Sequence, residues 1–237
     1  MTQPALLFVH GAWHGSWCWQ PVREILEERG WTTTAVDLPT VHAPDKASLG
    51  LAADADAVRA AIDAIDDDVV VVAHSYGGVP TTQGAGAGHV AHIVFISAFV
   101  LDAGESLFAA VGSVQPDWWN VKDGLATAGT DARPAQTLFY ADLPPAEADV
   151  AAARLTAQSE RAYHDEVTVA SWRGRPTTYV ITEQDAIFPV EAQEALAARA
   201  GASTVRLATS HSPFLSQPVA VADIIDRAAR QERSPRQ

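Results

Sequence analysis

The chain has 237 residues, of which 48% are hydrophobic and 19% are charged, a composition typical of globular proteins that excludes disordered and collagen-like chains. The 29 acidic and 16 basic residues give a formal net charge of −13. Because nucleic-acid binders and anionic-membrane binders need basic surfaces, we expect neither nucleic acid nor membrane as a partner.

The chain contains one cysteine, Cys18, so no disulfide can form within it. The amino terminus lacks the basic region and cleavage site of a signal peptide, and no apolar run approaches the ~20 residues that span a bilayer. These features are consistent with a reducing cytoplasm, and we expect a cytoplasmic protein. The length predicts one domain, or one domain with an insertion. The sequence leaves open whether it is a monomer or a homodimer.

Strand and helix patterns alternate along the chain. Buried strands are predicted from apolar, β-branched runs at 5–9, 32–38, 69–73, 91–100, 176–182 and 204–207. Helices are predicted between and after them at 18–29, 51–65, 75–87, 190–200 and 218–230. This alternation predicts an α/β protein with a mostly parallel six-stranded sheet and helices on both faces.

One segment interrupts this alternation. Residues 102–169 show helical patterns and no convincing strand. We therefore expect a core formed by residues 1–101 and 170–237, with residues 102–169 as a helical cap packed over the sheet.

The run VVVAHSYGG places Ser75 directly after a buried strand and before a helix, with Gly77 two residues later. This pattern is typical of a nucleophile elbow, a sharp turn that lifts a serine hydroxyl above the sheet. The residues two before and two after the serine are expected to crowd each other, and here they are Ala73 and Gly77 instead of the usual glycine pair. The alternative is that Ser75 only caps the following helix.

The run FVHGAWHGSWCW follows the first predicted strand, where an oxyanion-hole loop is expected. The backbone N–H groups of Ala12 and Tyr76 are the predicted oxyanion donors, because a tetrahedral oxyanion needs two donors fixed in advance. A metal pair of His10 and His14 is the alternative; without a helix or an HExxH pattern we expect no metal. The glycine-rich run at 84–88 follows a helix and no P-loop is present, so we also expect no cofactor.

His211 lies in a loop after the last predicted strand, the place expected for a catalytic base that takes the serine proton. The orienting acid should lie between Ser75 and His211 in the chain, and Asp185 is favoured because it lies beyond the preceding strand. Asp102 and Glu183 are the alternatives.

These segments together resemble the α/β-hydrolase superfamily, and are most similar to the branch of plant methyl esterases, hydroxynitrile lyases and small bacterial esterase-like relatives. The resemblance is carried by HGAWHGSWCW at 10–19, AHSYGG at 73–78, the Asp185 loop and SHSPFLSQP at 210–218. It implies an α/β-hydrolase fold with a cap over the active site. It also implies Ser75 as nucleophile, His211 as base, Asp185 as acid and the N–H groups of Ala12 and Tyr76 as oxyanion donors.

The lyase members of that branch have a threonine in the oxyanion loop and a lysine after the catalytic histidine. This chain has Ala12 and Ser212 at those positions, so no cation is available to stabilise departing cyanide. The sequence therefore favours ester hydrolysis over lyase activity.

The expected function is hydrolysis of a small or medium apolar carboxylic ester, with a methyl ester or a lactone included, by a Ser-His-Asp triad through an acyl-enzyme. One alternative is a tailoring enzyme of secondary metabolism that opens a lactone or rearranges its substrate at the same site. Another is a ligand receptor that retains the triad. The predicted pocket wall consists of Trp13, Phe108, Trp118, Trp119, Phe139 and Tyr140.

Overall fold

A parallel β-sheet forms the centre of the computed structural model, which describes residues 3–231. Among these residues the strands are β1 (Ala5–Val9), β2 (Thr33–Val36), β3 (Val69–His74), β4 (Val90–Ile96), β5 (Trp119–Lys122), β6 (Leu125–Ala128), β7 (Gln158–Ser159), β8 (Thr177–Thr182) and β9 (Ser203–Leu207). Six of them pair in the order β2-β1-β3-β4-β8-β9, and every pair is parallel. The predicted six-stranded parallel sheet is therefore confirmed.

Helices follow most strands. The α-helices are α1 (Gln20–Glu28), α2 (Pro39–His42), α3 (Leu51–Asp63), α4 (Gly78–Gly84), α5 (Leu107–Ala110), α6 (Ala135–Phe139), α7 (Pro145–Ala152), α8 (Arg161–His164), α9 (Val190–Ala200), α10 (Pro213–Ser216) and α11 (Pro218–Gln231). Short 3-10 helices occupy Ser16–Trp19, Lys46–Ser48 and Ser75–Gly77. None of the helices within residues 3–231 combines the length and apolarity that a membrane crossing needs.

The central strands are buried on both faces, which explains their continuous apolar sequences. In β1, Leu7 and Val9 contribute to one hydrophobic core, and Leu6 and Phe8 contribute to the other. The second core includes side chains of α1 and α11. Alternating side chains along one strand thus fill two cores, as the period of two in a strand requires.

The sheet order brings two loops together at one edge. From β1 the chain passes to β2 on one side, then returns to β3 on the other side of β1. The loops after β1 and β3 therefore diverge at a topological switch point, where open α/β sheets form their ligand crevices. Ser75 and the loop from Gly11 to Trp13 lie at this point.

The segment 102–169, called the insertion below, contains strands, so the prediction of a purely helical segment is wrong. Besides α5–α8 it contains the antiparallel sheet β5-β6-β7. The turn between β5 and β6 is Asp123-Gly124, with φ of 53° and 76°. An Asp-Gly pair between two strands is a strong sequence signal for a hairpin, because the tight turn needs positive φ at both residues. The sequence contains this signal. Division of the chain into core and cap stays a prediction, and residues 1–2 and 232–237 of the predicted core lie outside the described residues.

Candidate active site

Ser75 stands at the carboxyl end of β3 in a strained conformation. Its φ is 50°, in the left-handed region that costs a residue other than glycine roughly 1–3 kcal/mol. The helix that follows begins at Gly78 with Gly77 as its N-cap residue, and among residues 3–231 the Ser75 hydroxyl makes no hydrogen bond. A capping role for Ser75 therefore has no support, and the strain presents its hydroxyl at the switch point.

Two glycines let the backbone pack closely around Ser75. A Cβ on Gly77 would lie 2.5 Å from the carbonyl oxygen of His10 and 2.7 Å from that of Val9. A Cβ on Gly11 would lie 2.7 Å from His74 Nδ1. The requirement for a small residue two positions after the serine thus comes from the end of β1, and not from Ala73 as the sequence pattern predicts.

His211 and Asp185 form a buried pair. His211 Nδ1 donates to Asp185 Oδ2 at 2.6 Å, and their side chains are 2% and 0% exposed. The Thr182 hydroxyl donates to the same oxygen at 2.8 Å, while the N–H groups of Ile187 and Phe188 donate to Oδ1 at 3.0 and 2.9 Å. Four donors therefore hold the carboxylate, which in turn fixes the proton of His211 on Nδ1 and leaves Nε2 as the acceptor.

The two alternative acids lie elsewhere. Asp102 forms an ion pair with Arg173, and Glu183 lies 3.3 Å from Arg206. Of the three candidate acids, only Asp185 contacts His211.

The backbone of the His211 loop is also fixed. His74 Nε2 donates to the carbonyl oxygen of His211 at 2.9 Å, and their rings lie 4.6 Å apart. Burial lowers the pKa of His74 well below its usual value, so this neighbour of the base is neutral. From the insertion, Asp142 accepts the N–H of Ser210 at 3.0 Å.

The loop after β1 presents backbone N–H groups beside Ser75. Within residues 3–231 the Ala12 N–H donates no hydrogen bond, and Tyr76 lies in the first turn of a helical segment, where N–H groups have no intrahelical acceptor. Both residues line the same cavity as Ser75. These are the N–H groups that an oxyanion hole at this position would use.

The insertion holds the same loop through Trp13, whose φ is 64°. The Trp13 N–H donates to Gln158 Oε1 at 3.3 Å, and its indole N–H donates to the Ala126 carbonyl oxygen at 3.0 Å. Its own carbonyl oxygen accepts the N–H of Thr156 at 2.9 Å. The conformation of the residue after Ala12 thus depends on three contacts from the insertion.

A buried polar network extends below this loop. The Asp54 carboxyl accepts the hydroxyls of Tyr76 at 2.7 Å and Thr40 at 2.6 Å. Gln158 Nε2 donates to Thr40 Oγ1 at 2.9 Å, and the Tyr163 hydroxyl donates to Gln158 Oε1 at 3.0 Å. Burial raises the pKa of Asp54 to about 6, partly offset by these hydrogen bonds. The network links Tyr76, and through the Trp13 N–H the residue next to Ala12, to α2, α3 and β7.

A small cavity of about 50 Å³ brings the predicted residues together. Its lining includes Ser75, His211, Ala12 and Tyr76, and from the predicted pocket wall Trp13, Trp118 and Trp119. Acyl transfer to serine requires a presented serine hydroxyl, a histidine–aspartate pair and N–H groups free to bind an oxyanion. The cavity brings together candidates for all three.

Three residues of the predicted pocket wall lie outside this lining. Phe139 packs its ring 5.9 Å from the His211 ring. The Tyr140 hydroxyl bonds to His14 Nε2 at 2.8 Å, and Phe108 lies 4.4 Å from the His164 ring. These three aromatic residues contact neighbouring histidines. The composition of the sequence does not distinguish that role from lining a pocket.

The lining contains residues that the sequence prediction missed: Phe99, Leu107, Tyr163, Ile187 and Phe188. Phe99 follows β4, and Phe188 follows the Asp185 loop after β8. The carboxyl ends of parallel strands meet at one edge of a sheet, so this signal was available for both. Leu107 and Tyr163 belong to short helices of the insertion and carried no such signal.

A group of His10, Asp37 and His42 brings possible metal ligands within 4.8 Å of one another. His10 Nδ1 bonds to the Gly11 carbonyl oxygen at 2.8 Å, and its Nε2 accepts the Leu38 N–H at 3.0 Å. His42 Nε2 bonds to the His14 carbonyl oxygen at 3.0 Å. Burial lowers the pKa of His10 to about 4. The hydrogen bonds that these ring nitrogens make explain their arrangement without an ion.

Comparison with known proteins adds a family match. The model described as "Alpha/beta hydrolase family" matches residues 6–224. The Alpha/beta hydrolase nvfD of Aspergillus novofumigatus is 27% identical over 248 residues, which cover 97% of this chain and 98% of that protein. Methylesterase 7 of Arabidopsis thaliana is 34% identical over 109 residues, 43% of this chain and 42% of its own.

Among solved structures, a pyrethroid hydrolase from Sphingobium faniae JZ-2 has a similar fold. It matches with a TM-score of 0.81 and 21% identity, over 97% of this chain and 98% of that one.

Proposed function

Because the chain belongs to the alpha/beta hydrolase family, related to esterases, we propose that it cleaves a small or medium apolar carboxylic ester with Ser75 as nucleophile. The observation that carries this proposal is the buried His211–Asp185 pair on the same small cavity as the strained Ser75. The apolar lining favours a neutral substrate, since a charged group would be desolvated there without a partner.

In the proposed reaction the Ser75 oxygen attacks the ester carbonyl carbon while His211 Nε2 accepts the hydroxyl proton. The N–H groups of Ala12 and Tyr76 stabilise the negative charge on the carbonyl oxygen. The carbon–oxygen bond then breaks, and the leaving alcohol takes the proton from His211. Water deprotonated by His211 attacks the acyl-enzyme, which releases the acid and returns the proton to Ser75. Asp185 orients the imidazole and stabilises its charged form throughout.

The experiment that tests this proposal compares Ser75→Ala with Ser48→Ala, which alters an exposed serine on another part of the surface. We expect Ser75→Ala to lose hydrolysis of p-nitrophenyl butyrate and labelling by a fluorophosphonate, and Ser48→Ala to retain both. Labelling should map to the peptide that contains Ser75. Turnover at the wild-type rate in Ser75→Ala would reject the assignment.

Product analysis separates hydrolysis from the alternative chemistries. In water labelled with heavy oxygen, hydrolysis places one labelled oxygen in the released acid, whereas a rearrangement adds none. A receptor would instead bind its ligand with a rise in melting temperature and negligible steady-state turnover.

A further inference from the structure

The cavity beside Ser75 is much smaller than the substrate sites of most enzymes. Its volume is about 50 Å³. Sites for small molecules are roughly 300–1,000 Å³. A medium ester therefore fits only if part of it lies outside this cavity.

One wall of the cavity consists of two stacked phenylalanines. The rings of Phe99 and Phe188 lie 4.7 Å apart at an angle of 22°. Both also line a second space of about 230 Å³ on their other side. The remaining apolar lining of that space comes from Leu101, Ala110, Ala192, Ala195 and Leu196. We call this second space the α9 cleft. Two aromatic side chains thus separate it from Ser75.

The backbone on both sides of this wall is fixed, so only the side chains block the passage. The Phe188 N–H donates to Asp185 at 2.9 Å, and its carbonyl oxygen accepts from Gln193 at 2.8 Å. The Phe99 N–H donates to the Ser75 carbonyl oxygen at 3.1 Å. Rotation of either ring leaves these hydrogen bonds intact. Opening the wall is therefore compatible with an unchanged arrangement of Ser75, His211 and Asp185.

The charges in the α9 cleft favour a neutral occupant. Its two charged lining residues, Glu105 and Arg199, form an ion pair with each other, and Arg199 also donates to the Val100 carbonyl oxygen at 3.2 Å. A charged ligand would have to displace one partner of this pair. The cleft therefore offers apolar contact and no unpaired charge.

We propose that the α9 cleft binds the longer apolar group of the ester, which reaches it when the rings of Phe99 and Phe188 turn aside. This inference rests on the proposed function and defines its substrate class: neutral esters with one elongated alkyl or aryl group. Together the two spaces approach the lower end of the usual size range for a small-molecule site.

The test measures kcat/KM for p-nitrophenyl octanoate relative to p-nitrophenyl acetate, and for octyl acetate relative to ethyl acetate. The first pair varies the acyl group and the second varies the alcohol. Ala195→Trp would fill the cleft, and we expect one of the two ratios to fall at least about tenfold, as apolar pocket contacts allow. The control Ala198→Trp alters an exposed residue of the same helix outside the cleft, and both ratios should stay within about twofold of wild type.

Removal of the wall should act in the opposite direction. Phe188→Ala should raise the same ratio by about tenfold. If Phe188→Ala does not fold, Phe188→Leu is the milder variant for the same measurement. Ratios unchanged from wild type in both Ala195→Trp and a folded Phe188 variant would overturn the cleft while leaving the proposed hydrolysis intact. A wild-type protein that is unlabelled by a fluorophosphonate and hydrolyses no ester would instead reject the proposed function.

Discussion

The absence of a side chain at Gly77 allows the backbone after Ser75 to pack closely against the end of β1. The φ of Gly77, −54°, is helical, so alanine would suit its backbone and, by helix propensity, stabilise the position by about 1 kcal/mol. However, a Cβ there would lie within 2.7 Å of the backbone carbonyl oxygens of Val9, the last residue of β1, and of His10, which follows it. Such atoms cannot rotate away as a flexible side chain can, so steric crowding outweighs propensity.

We therefore expect Gly77→Ala to lower the free energy of unfolding by about 1–3 kcal/mol, the usual cost of overpacking. Thermal unfolding measures this effect. The matched control is Gly88→Ala, because a Cβ on Gly88 would meet no atom within 4 Å. A melting temperature for Gly77→Ala equal to that of the control would contradict the crowding argument.

At this scale the sequence predicted the residues with local signatures and missed those placed by tertiary packing. Ser75 could be predicted as a candidate nucleophile because a serine after an apolar run and before two glycines is a short-range pattern. His211 and Asp185 could be predicted as a candidate pair because each follows a strand in the expected chain order, and the structure brings the two side chains into contact. Phe139 and Tyr140, which the sequence predicts in the pocket wall, do not line the cavity beside Ser75, because whether an aromatic ring faces a cavity or a neighbouring histidine depends on packing that no local pattern records.

At the scale of elements, β7 is the part of the insertion that acts on the site. It has only two residues, yet Gln158 joins the Trp13 N–H, the Tyr163 hydroxyl and the Thr40 hydroxyl in one buried group. Because Trp13 follows Ala12 directly, loss of the Gln158 contact should allow the N–H of Ala12, the proposed oxyanion donor, to turn away from the site. Such a donor matters more in the transition state than in the bound substrate.

Gln158→Leu is therefore expected to lower kcat by about tenfold or more while changing KM by less than about threefold. Gln158→Glu keeps an acceptor for the Trp13 N–H and should recover much of the loss. The matched control is Gln136→Leu, which removes a partly exposed glutamine bonded to Asp149. Steady-state kinetics on one short ester measures the changes in kcat and in KM separately. The melting temperature of each variant shows whether its fold is retained. A rise in KM with unchanged kcat would assign Gln158 to substrate binding instead.

The strands of the insertion show which elements local sequence could reveal. The hairpin of β5 and β6 had a readable signal in Asp123-Gly124. In contrast, β7 pairs with β6 across about thirty intervening residues, as Leu125 opposite Ser159 and Ala126 opposite Gln158. Two residues are too few to show a period, and the pairing is non-local. No sequence pattern therefore predicted this strand.

At the scale of the whole molecule, the family resemblance drawn from four separated motifs is confirmed by a match over residues 6–224. The motifs lie at the ends of β1, β3, β8 and β9, four of the six strands of the parallel sheet. The sheet itself was predictable from the continuous apolar sequences of its buried central strands. The proposed substrate range depends instead on side chains such as Phe99 and Phe188, which the motifs do not include.

Buried histidines should make the protein sensitive to acid. Burial lowers the pKa of His10 to about 4 and of His14 to about 3, and lowers that of His74 well below the usual 6.5. The unfolded chain therefore binds more protons than the folded chain below about pH 6.5, and the free energy of unfolding falls as the pH falls towards 4. Asp54 acts in the opposite direction because its folded-state pKa is raised to about 6, but its shift is smaller than those of His10 and His14 together.

We expect the melting temperature to fall steadily from pH 7 to about pH 4.5, since each unit of pKa shift corresponds to about 1.4 kcal/mol. NMR titration provides the direct check: the imidazole signals of these three residues should not shift above pH 5 in the folded protein. His164→Gln, which removes an exposed histidine, should follow the same melting profile. A melting temperature that is constant or higher at pH 5 would falsify this account.

The anchoring of Trp13 has a consequence for how the specificity of this protein can be changed. By sequence Trp13 belongs to the loop after β1, but its indole lies among Trp118, Trp119, Phe139 and Tyr163 of the insertion. Replacing the insertion with that of another hydrolase would remove the aromatic side chains that pack around this indole. The loop that carries Ala12 would then lose its contacts with the insertion. The insertion is therefore not a freely exchangeable module. Point changes around the α9 cleft, whose lining shares no residue with this anchor, offer a proposed route to new substrates that keeps the loop in place.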